Sequence, residues 1–296
     1  MMRPLIFDFP TPSPLGTLLR EQMDAEEGKF INRSFPDGET YLRVESKVSG
    51  RPVIVNATLF HPNDWFLDLL FLSDALHAQG ATRVILLAPY LAYMRQDKVF
   101  TPGEALTSST FSRLISSSFD SMVTVDPHLH RYHSLSEIYS IPTTIVKAAP
   151  LISEWIQDHI KDPFIIGPDA ESRQWVEEIA QGSPFIVLTK TRFEDGHVEI
   201  TWPDMGAIHS KQIVLVDDII SSGVTIDQSL KHLNDLRASP PMCIAIHPIF
   251  AQGSYETLLR AGVKQIVTCN SIPHPSNGID LTPLLVPALT QNLEGK

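Results

Sequence analysis

The sequence predicts an α/β protein of two domains, each a mostly parallel sheet flanked by helices, and three observations carry that expectation. Unbroken, largely β-branched apolar runs such as Ile213-Val214-Leu215-Val216 match central parallel strands covered on both faces. Such runs alternate with amphipathic windows of helical period along the chain, which is the pattern of α/β layers. At 296 residues, with 43% hydrophobic and 19% charged content, the chain is long enough for two domains of about 140 residues.

Composition narrows the function before any motif does. A net charge of −11 speaks against a nonspecific nucleic-acid surface, which needs a basic field to recruit phosphates, but small anions can still bind locally. Cys243 and Cys269 each fall inside an expected β segment, so the expectation is apolar burial in a reducing, cytoplasmic compartment, not a disulfide framework or a zinc site. Asp8 follows closely behind a short apolar patch, so the N-terminal stretch is not expected to be a signal peptide. The longest apolar run, Val84 to Met94, is far too short for a membrane span.

In chain order, residues 4 to 8 are expected as a first strand. Ile31 to Val44 carries a turn at Pro36-Asp37-Gly38 and then alternates, hence a hairpin with its tip around Phe35 to Glu39. Residues 52 to 57 read as a buried strand, Asn63 to Ala78 as a helix with apolar positions at 66, 69, 70, 72 and 76, and Arg83 to Ala88 as the next strand. Pro89 to Glu104 reads as a long loop, because Pro102-Gly103 interrupts any regular continuation, and long loops in compact domains are usually functional or disordered. It concentrates Arg95, Gln96, Asp97 and Lys98 beyond a strand's carboxyl end.

Strand Ser121 to Val125 ends at Asp126, and His128 follows where an imidazole can ligate Mg²⁺ or bond phosphate oxygens; a structural histidine is the plainer alternative. Phe164 to Gly167 is another strand with Asp169 just beyond it, a position that also suits a helix N-cap. Lys190 and Arg192 close the strand Phe185 to Thr189, ahead of a β segment from Val198 to Trp202. Alternate residues on an extended chain share a face, so both cations can meet one phosphate group.

The stretch around which the rest is organised is Gln212 to Ile226. Asp217 and Asp218 stand at the carboxyl end of its apolar run, where ligands bind in open α/β sheets. Ser221, Ser222, Gly223 and Thr225 are small or hydroxylic, so backbone N–H groups can converge on an anion, and a helix from about Val224 to Leu236 adds its positive end. Anion donors beside two carboxylates suit a ribose 5-phosphate unit.

This stretch resembles the loop of the phosphoribosyltransferase fold. Phe35-Pro36-Asp37-Gly38-Glu39, Tyr93-Met94-Arg95-Gln96-Asp97-Lys98 and Asp126-Pro127-His128 resemble the nucleotide-binding pieces of the ribose-phosphate diphosphokinase family, also called phosphoribosyl pyrophosphate synthetases. Gly167-Pro168-Asp169-Ala170, Lys190-Thr191-Arg192 and Asn270-Ser271-Ile272-Pro273 match as well, in order, over nearly the whole chain. The resemblance implies two phosphoribosyltransferase-like domains, at 1–145 for ATP and 146–282 for ribose 5-phosphate, with 283–296 packing back on the first. It further implies transfer of the β,γ-diphosphoryl group of ATP to O1 of ribose 5-phosphate, with AMP as the second product.

By the same resemblance, Asp217 and Asp218 hold ribose hydroxyls, and Ser221, Ser222, Gly223, Val224 and Thr225 bind the 5-phosphate. Phe35, Asp37 and Glu39 reach the adenine site of a neighbouring subunit, so a homodimer or larger homo-oligomer is implied. Arg95, Gln96 and His128 contact ATP phosphates or its metal, His128 and Asp169 hold Mg²⁺, and Lys190 with Arg192 stabilises the transferring group. Departures from the commoner pattern are Ser221 in place of an acid, Pro127 in place of a leucine, and Phe100 to Glu104, which is similar to a less common branch. A phosphoribosyltransferase, a non-catalytic regulatory paralogue and a diphosphokinase for another pentose phosphate stand as alternatives.

Overall fold

The structure is a computed structural model that describes residues 3–129, 131–167, 172–192, 198–201, 208, 211–236 and 238–295, with 189–192 and 198–201 described in backbone alone. The chain forms two compact units, Met1–Lys147 with Thr282–Lys296, and Ala148–Leu281.

The first unit contains β1 (Leu5–Asp8), α1 (Pro14–Gln22), β2 (Glu26–Glu27), β3 (Phe30–Ser34), β4 (Thr40–Val44), β5 (Pro52–Asn56), α2 (Phe66–Ala78), β6 (Arg83–Ala88), α3 (Thr107–Ser118), β7 (Ser121–Val125) and β8 (Thr143–Val146). Six of the strands form one sheet in the order β2-β1-β5-β6-β7-β8, every pair parallel, and β3 pairs with β4 as an antiparallel hairpin. The parallel strands are apolar on both faces because helices cover both, and β1, β6 and β7 are buried almost throughout. The core gathers Phe7, Val55, Leu69, Leu72, Leu76 and Leu86, among others.

The second unit contains α4 (Ala149–His159), β9 (Pro163–Gly167), α5 (Arg173–Ala180), β10 (Phe185–Val187), β11 (Thr189–Arg192), β12 (Val198–Thr201), β13 (Gln212–Ile220), α6 (Val224–Asp235), β14 (Met242–Pro248), α7 (Ser254–Arg260), β15 (Gln265–Cys269) and β16 (Asn277–Ile279). Its sheet runs β10-β9-β13-β14-β15-β16, again all parallel, with β11 and β12 as a separate antiparallel ribbon. In both sheets the chain first moves to one side of its opening strand and then crosses to the other, which sets a topological switch point between β1 and β5 and between β9 and β13. Cys243 and Cys269 are buried free thiols on β14 and β15. The closing helix α8 (Thr282–Glu294) belongs to the first unit: Arg83 Nη1 donates to the Asn292 carbonyl at 2.7 Å, and Asn292 Nδ2 donates to Thr144 Oγ1 at 3.0 Å.

Three local expectations are corrected by these elements. The helix expected from Asn63 starts at Phe66, because Pro62–Asp64 form a 3₁₀ turn first. The strand expected at 213–216 continues to Ile220, so Asp217 and Asp218 lie within β13 and not beyond it. Lys190 and Arg192 belong to the ribbon strand β11 and do not close β10, which ends at Val187.

Candidate active site

In the second unit the sugar-phosphate candidates cluster at the carboxyl edge of the sheet. β13 pairs with β9 only as far as Leu215, opposite Ile166, but with β14 through Ile220, opposite Pro248. Among the described residues β13 has no β9 partner beyond Leu215, and Asp217 and Asp218 lie half-buried just past that point. The Asp218 N–H donates to Asp217 Oδ1 at 2.9 Å, and the Asp217 carboxylate adds to burial in pushing the Cys243 thiol up from its ordinary pKa. A pocket lined by Gly167, Leu188, Asp217, Ile220, Thr225 and Ser229, among others, occupies this switch point, where open α/β sheets take ligands.

The turn that follows leads directly into a helix N-terminus. Gly223 is the residue before α6, at φ 75°, and a Cβ there would lie 3.1 Å from the Leu258 side chain. Positive φ and this close approach both ask for glycine. The first turn of α6 sets the positive end of a helix beside the exposed Ser222 and Val224 and the half-buried Ser221 and Thr225. Asp169 lies outside the described residues. For Lys190 and Arg192 the backbone register is described: they pair with Ile200 and Val198 across the ribbon.

In the first unit the nucleotide candidates fall on two neighbouring strand ends and on the hairpin. The loop after β6 is irregular but well anchored: Leu91 and Met94 are buried, Arg95 is exposed between them and the buried Asp97, and Gln96 accepts from Thr107 Oγ1 at 3.0 Å. His128 is half-buried two residues beyond the Asp126 backbone, which takes φ 34° at the end of β7. The two loops are tied by Arg131 Nη1, which donates to Asp97 Oδ1 at 2.6 Å, and by the Tyr132 hydroxyl, which donates to the Asp97 carbonyl at 3.3 Å. Farther along, the Phe100 and Thr101 N–H groups donate to Glu104 and hold its carboxyl below the usual range.

The hairpin tip presents Phe35, Asp37 and Glu39 to solvent. Its turn is closed by Gly38 N–H to the Phe35 carbonyl at 2.9 Å and by Phe35 N–H to the Glu39 carbonyl at 2.7 Å. The Phe35 ring is 41% exposed, edge-on to Tyr41 at 6.0 Å, with the Arg33 guanidinium 5.1 Å from its centroid. Along the hairpin toward its turn, Asp68 of α2 accepts from Asn32 Nδ2 at 3.0 Å and from Thr40 Oγ1.

Residues 5–118 match the family model described as the N-terminal domain of ribose phosphate pyrophosphokinase, and residues 134–284 match the phosphoribosyl transferase domain. A ribose-phosphate pyrophosphokinase from Sulfolobus acidocaldarius is 32% identical over 259 residues, covering 86% of this chain and 88% of that one. The chain belongs to the ribose-phosphate pyrophosphokinase family. A pyrophosphokinase from Saccharolobus solfataricus is 34% identical, with 82% and 84% covered, and one from Methanopyrus kandleri is 30% identical, with 95% and 96% covered. The crystal structure of phosphoribosylpyrophosphate synthetase from Mycobacterium smegmatis shares the fold with a TM-score of 0.86 over 99% of this chain and 100% of that one, at 23% identity.

In this pyrophosphokinase Asp217, Asp218 and the 221–225 turn lie together in one unit; in the other, Arg95, Gln96 and His128 lie on two tied strand-end loops, and Phe35, Asp37 and Glu39 on the hairpin tip. Sequence reasoning missed Arg131, whose partner lies 34 positions away, and the half-buried aromatic group Phe250, Tyr255 and His274 beside the 221–225 turn. A buried acid in a loop is a signal that some cation must meet it. Nothing in the sequence says which.

Proposed function

We propose that this enzyme transfers the diphosphoryl group of ATP to O1 of ribose 5-phosphate, giving 5-phosphoribosyl 1-diphosphate and AMP for nucleotide biosynthesis. The observation that carries this reading is the Asp217-Asp218 pair set against the N-terminus of α6 with Gly223 at φ 75°. Two acceptors for vicinal hydroxyls next to a row of N–H donors for a dianion match the two ends of a ribose 5-phosphate.

The sugar hydroxyls donate to Asp217 and Asp218 while Ser221, Ser222, Gly223, Val224 and Thr225 take the 5-phosphate. Arg95, Gln96 and His128 meet the phosphates of ATP, and Phe35 stacks on its base while Asp37 or Glu39 accepts from the amino group. O1 attacks the β-phosphorus in line, losing its proton. The O1–P bond forms as the bond from the β-phosphorus to the bridging oxygen breaks, and AMP leaves with that oxygen. Lys190 and Arg192 stabilise the negative charge spread over the transferring group, doing little covalent work.

A hard divalent cation is bound by one or two side chains plus phosphate oxygens, and the carboxyl edge of β7, with Asp126 and His128, offers such a sparse donor set. His128 and Asp169 would hold Mg²⁺, which when bound screens the meeting of two anions. An exposed Phe35 tip supports a homodimer or larger assembly in which the hairpin completes a neighbour's adenine site. The two free, buried cysteines support a cytoplasmic setting, and no helix among the described residues is long and apolar enough to cross a membrane.

Incubation of the purified protein with ATP, Mg²⁺ and ribose 5-phosphate tests the reading. AMP should appear together with a diphosphorylated pentose. Pyrophosphate release that depends on an added base, with no AMP, would instead assign a phosphoribosyltransferase.

A further inference from the structure

Three successive connections at the carboxyl edge of the second sheet are linked in series, and the first of them is the sugar-phosphate turn. The loop between β14 and α7 docks on that turn. The Phe250 N–H donates to the Ile220 carbonyl at 2.9 Å, the Ala251 N–H to the Ser221 carbonyl at 2.9 Å, and the Ser254 hydroxyl to the same Ser221 carbonyl at 2.9 Å. A trans peptide unit is planar with its C=O and N–H opposed. Pinning the Ile220 and Ser221 carbonyls toward this loop therefore turns the Ser221 and Ser222 N–H groups away from it. For Ser221 that direction is the β9 side of β13, where strand pairing has ended.

The docking loop is itself held under strain. Phe250 sits at φ 30°, a conformation that a bulky side chain keeps only when its surroundings over-determine it. Those surroundings are two rings: His274, 4.6 Å away at 36°, and Tyr255, 5.2 Å away at 71°, with His274 and Tyr255 4.9 Å apart. His274 lies in the connection from β15 to β16 and is fastened there at both ends. The Ser276 N–H donates to its Nδ1 at 3.1 Å, and its own N–H donates to Asn277 Oδ1 at 3.0 Å. Asn277 in turn donates to Thr268 Oγ1 and to the Cys269 carbonyl, which anchors the connection on β15.

We propose that His274 and Phe250 are positioning residues for ribose 5-phosphate: the ring stack fixes the strained Phe250 backbone, and that backbone aims the Ser221 and Ser222 donors at the 5-phosphate. The inference rests on the reading of 221–225 as the 5-phosphate turn. Both residues act through the backbone of the turn, so their effect should be confined to ribose 5-phosphate binding.

Steady-state kinetics with both substrates varied, alongside thermal melts, test it. Phe250→Ala and His274→Ala should raise KM for ribose 5-phosphate about tenfold while kcat and KM for ATP stay within twofold. Phe250→Tyr, which keeps the ring, should keep the wild-type KM. His274→Asn removes the ring from the stack but keeps an acceptor for the Ser276 N–H; should the alanine variants not fold, it decides the matter, with about a threefold rise in KM supporting the proposal and an unchanged KM overturning it. A clear fall in kcat, a rise in KM shared by both substrates, or an unchanged KM in folded alanine variants also overturns it. Thr225→Ala is the control for the underlying reading. If it leaves KM for ribose 5-phosphate unchanged, the turn is not the phosphate site; if it raises KM while His274 and Phe250 variants do not, the positioning role alone fails.

Discussion

Asp97 and Arg131 form a bridge between the loops that follow β6 and β7: the Asp97 side chain is 2% exposed and its Oδ1 accepts from Arg131 Nη1 at 2.6 Å. Arg131 is itself 45% exposed and also lies over the Phe100 ring at 5.0 Å. Removing the cation leaves a carboxylate buried without its charge partner. Breaking a buried pair costs about 3–5 kcal/mol, and the half-exposed guanidinium puts this one near the lower end, about 3 kcal/mol for Arg131→Ala. Urea denaturation should show that loss. Because the bridge keeps Arg95 and Gln96 on the loop beside that of His128, KM for ATP should rise in the same variant, and Arg131→Lys should restore part of both.

Phe35 contributes little to its own unit, since its ring stays 41% exposed. Phe35→Ala should therefore leave the melting temperature within a degree or two, as exposed substitutions change stability by about 0.5 kcal/mol or less. ATP binding should weaken clearly in the same protein. A fully active monomer in sedimentation at assay concentration would remove the shared adenine site from the reading.

Lys190 and Arg192 separate chemistry from binding. If they meet the diphosphoryl group as charge moves, Lys190→Ala or Arg192→Ala should lower kcat by about 10²–10³ with a smaller effect on KM for ribose 5-phosphate. Asp217→Asn and Asp218→Asn should raise that KM as well. Near-normal kcat in both cation variants would make β11 a ribbon without a catalytic role.

Gly223→Ala places a Cβ 3.1 Å from Leu258 at φ 75°. The left-handed backbone alone costs a non-glycine residue about 1–2 kcal/mol. Calorimetry should show a lower melting temperature, and KM for ribose 5-phosphate should rise because the α6 N-terminus must shift.

His274 should titrate below the ordinary histidine value of 6.5, since partial burial disfavours its charged form and Glu256 opposes that shift only in part. A histidine whose folded pKa is depressed stabilises the protein fully above its unfolded value and loses that contribution as pH falls toward the folded one. Proton NMR should therefore give a midpoint under 6.5, and Glu256→Gln should move it lower still.

The apolar runs and their spacing were enough to determine two parallel α/β sheets, because a strand buried on both faces has to be continuously apolar and a crossover helix has to be amphipathic. The residue types of Asp217 to Thr225 likewise set the expectation of a sugar-phosphate site, since carboxylates followed by hydroxyls and a glycine suit the two ends of a ribose 5-phosphate. What tertiary structure alone decided is where strands end and which loops lean on one another. β13 runs on to Ile220 because β14 continues to pair with it, a fact about its neighbour and not about its own residues. Asp97 and Arg131, 34 positions apart, and Ser221 and Ser254, 33 apart, meet only once the sheet order has set adjacent strand ends side by side. Local pattern carries no information about such partners, because the chain between them can be of any composition that folds.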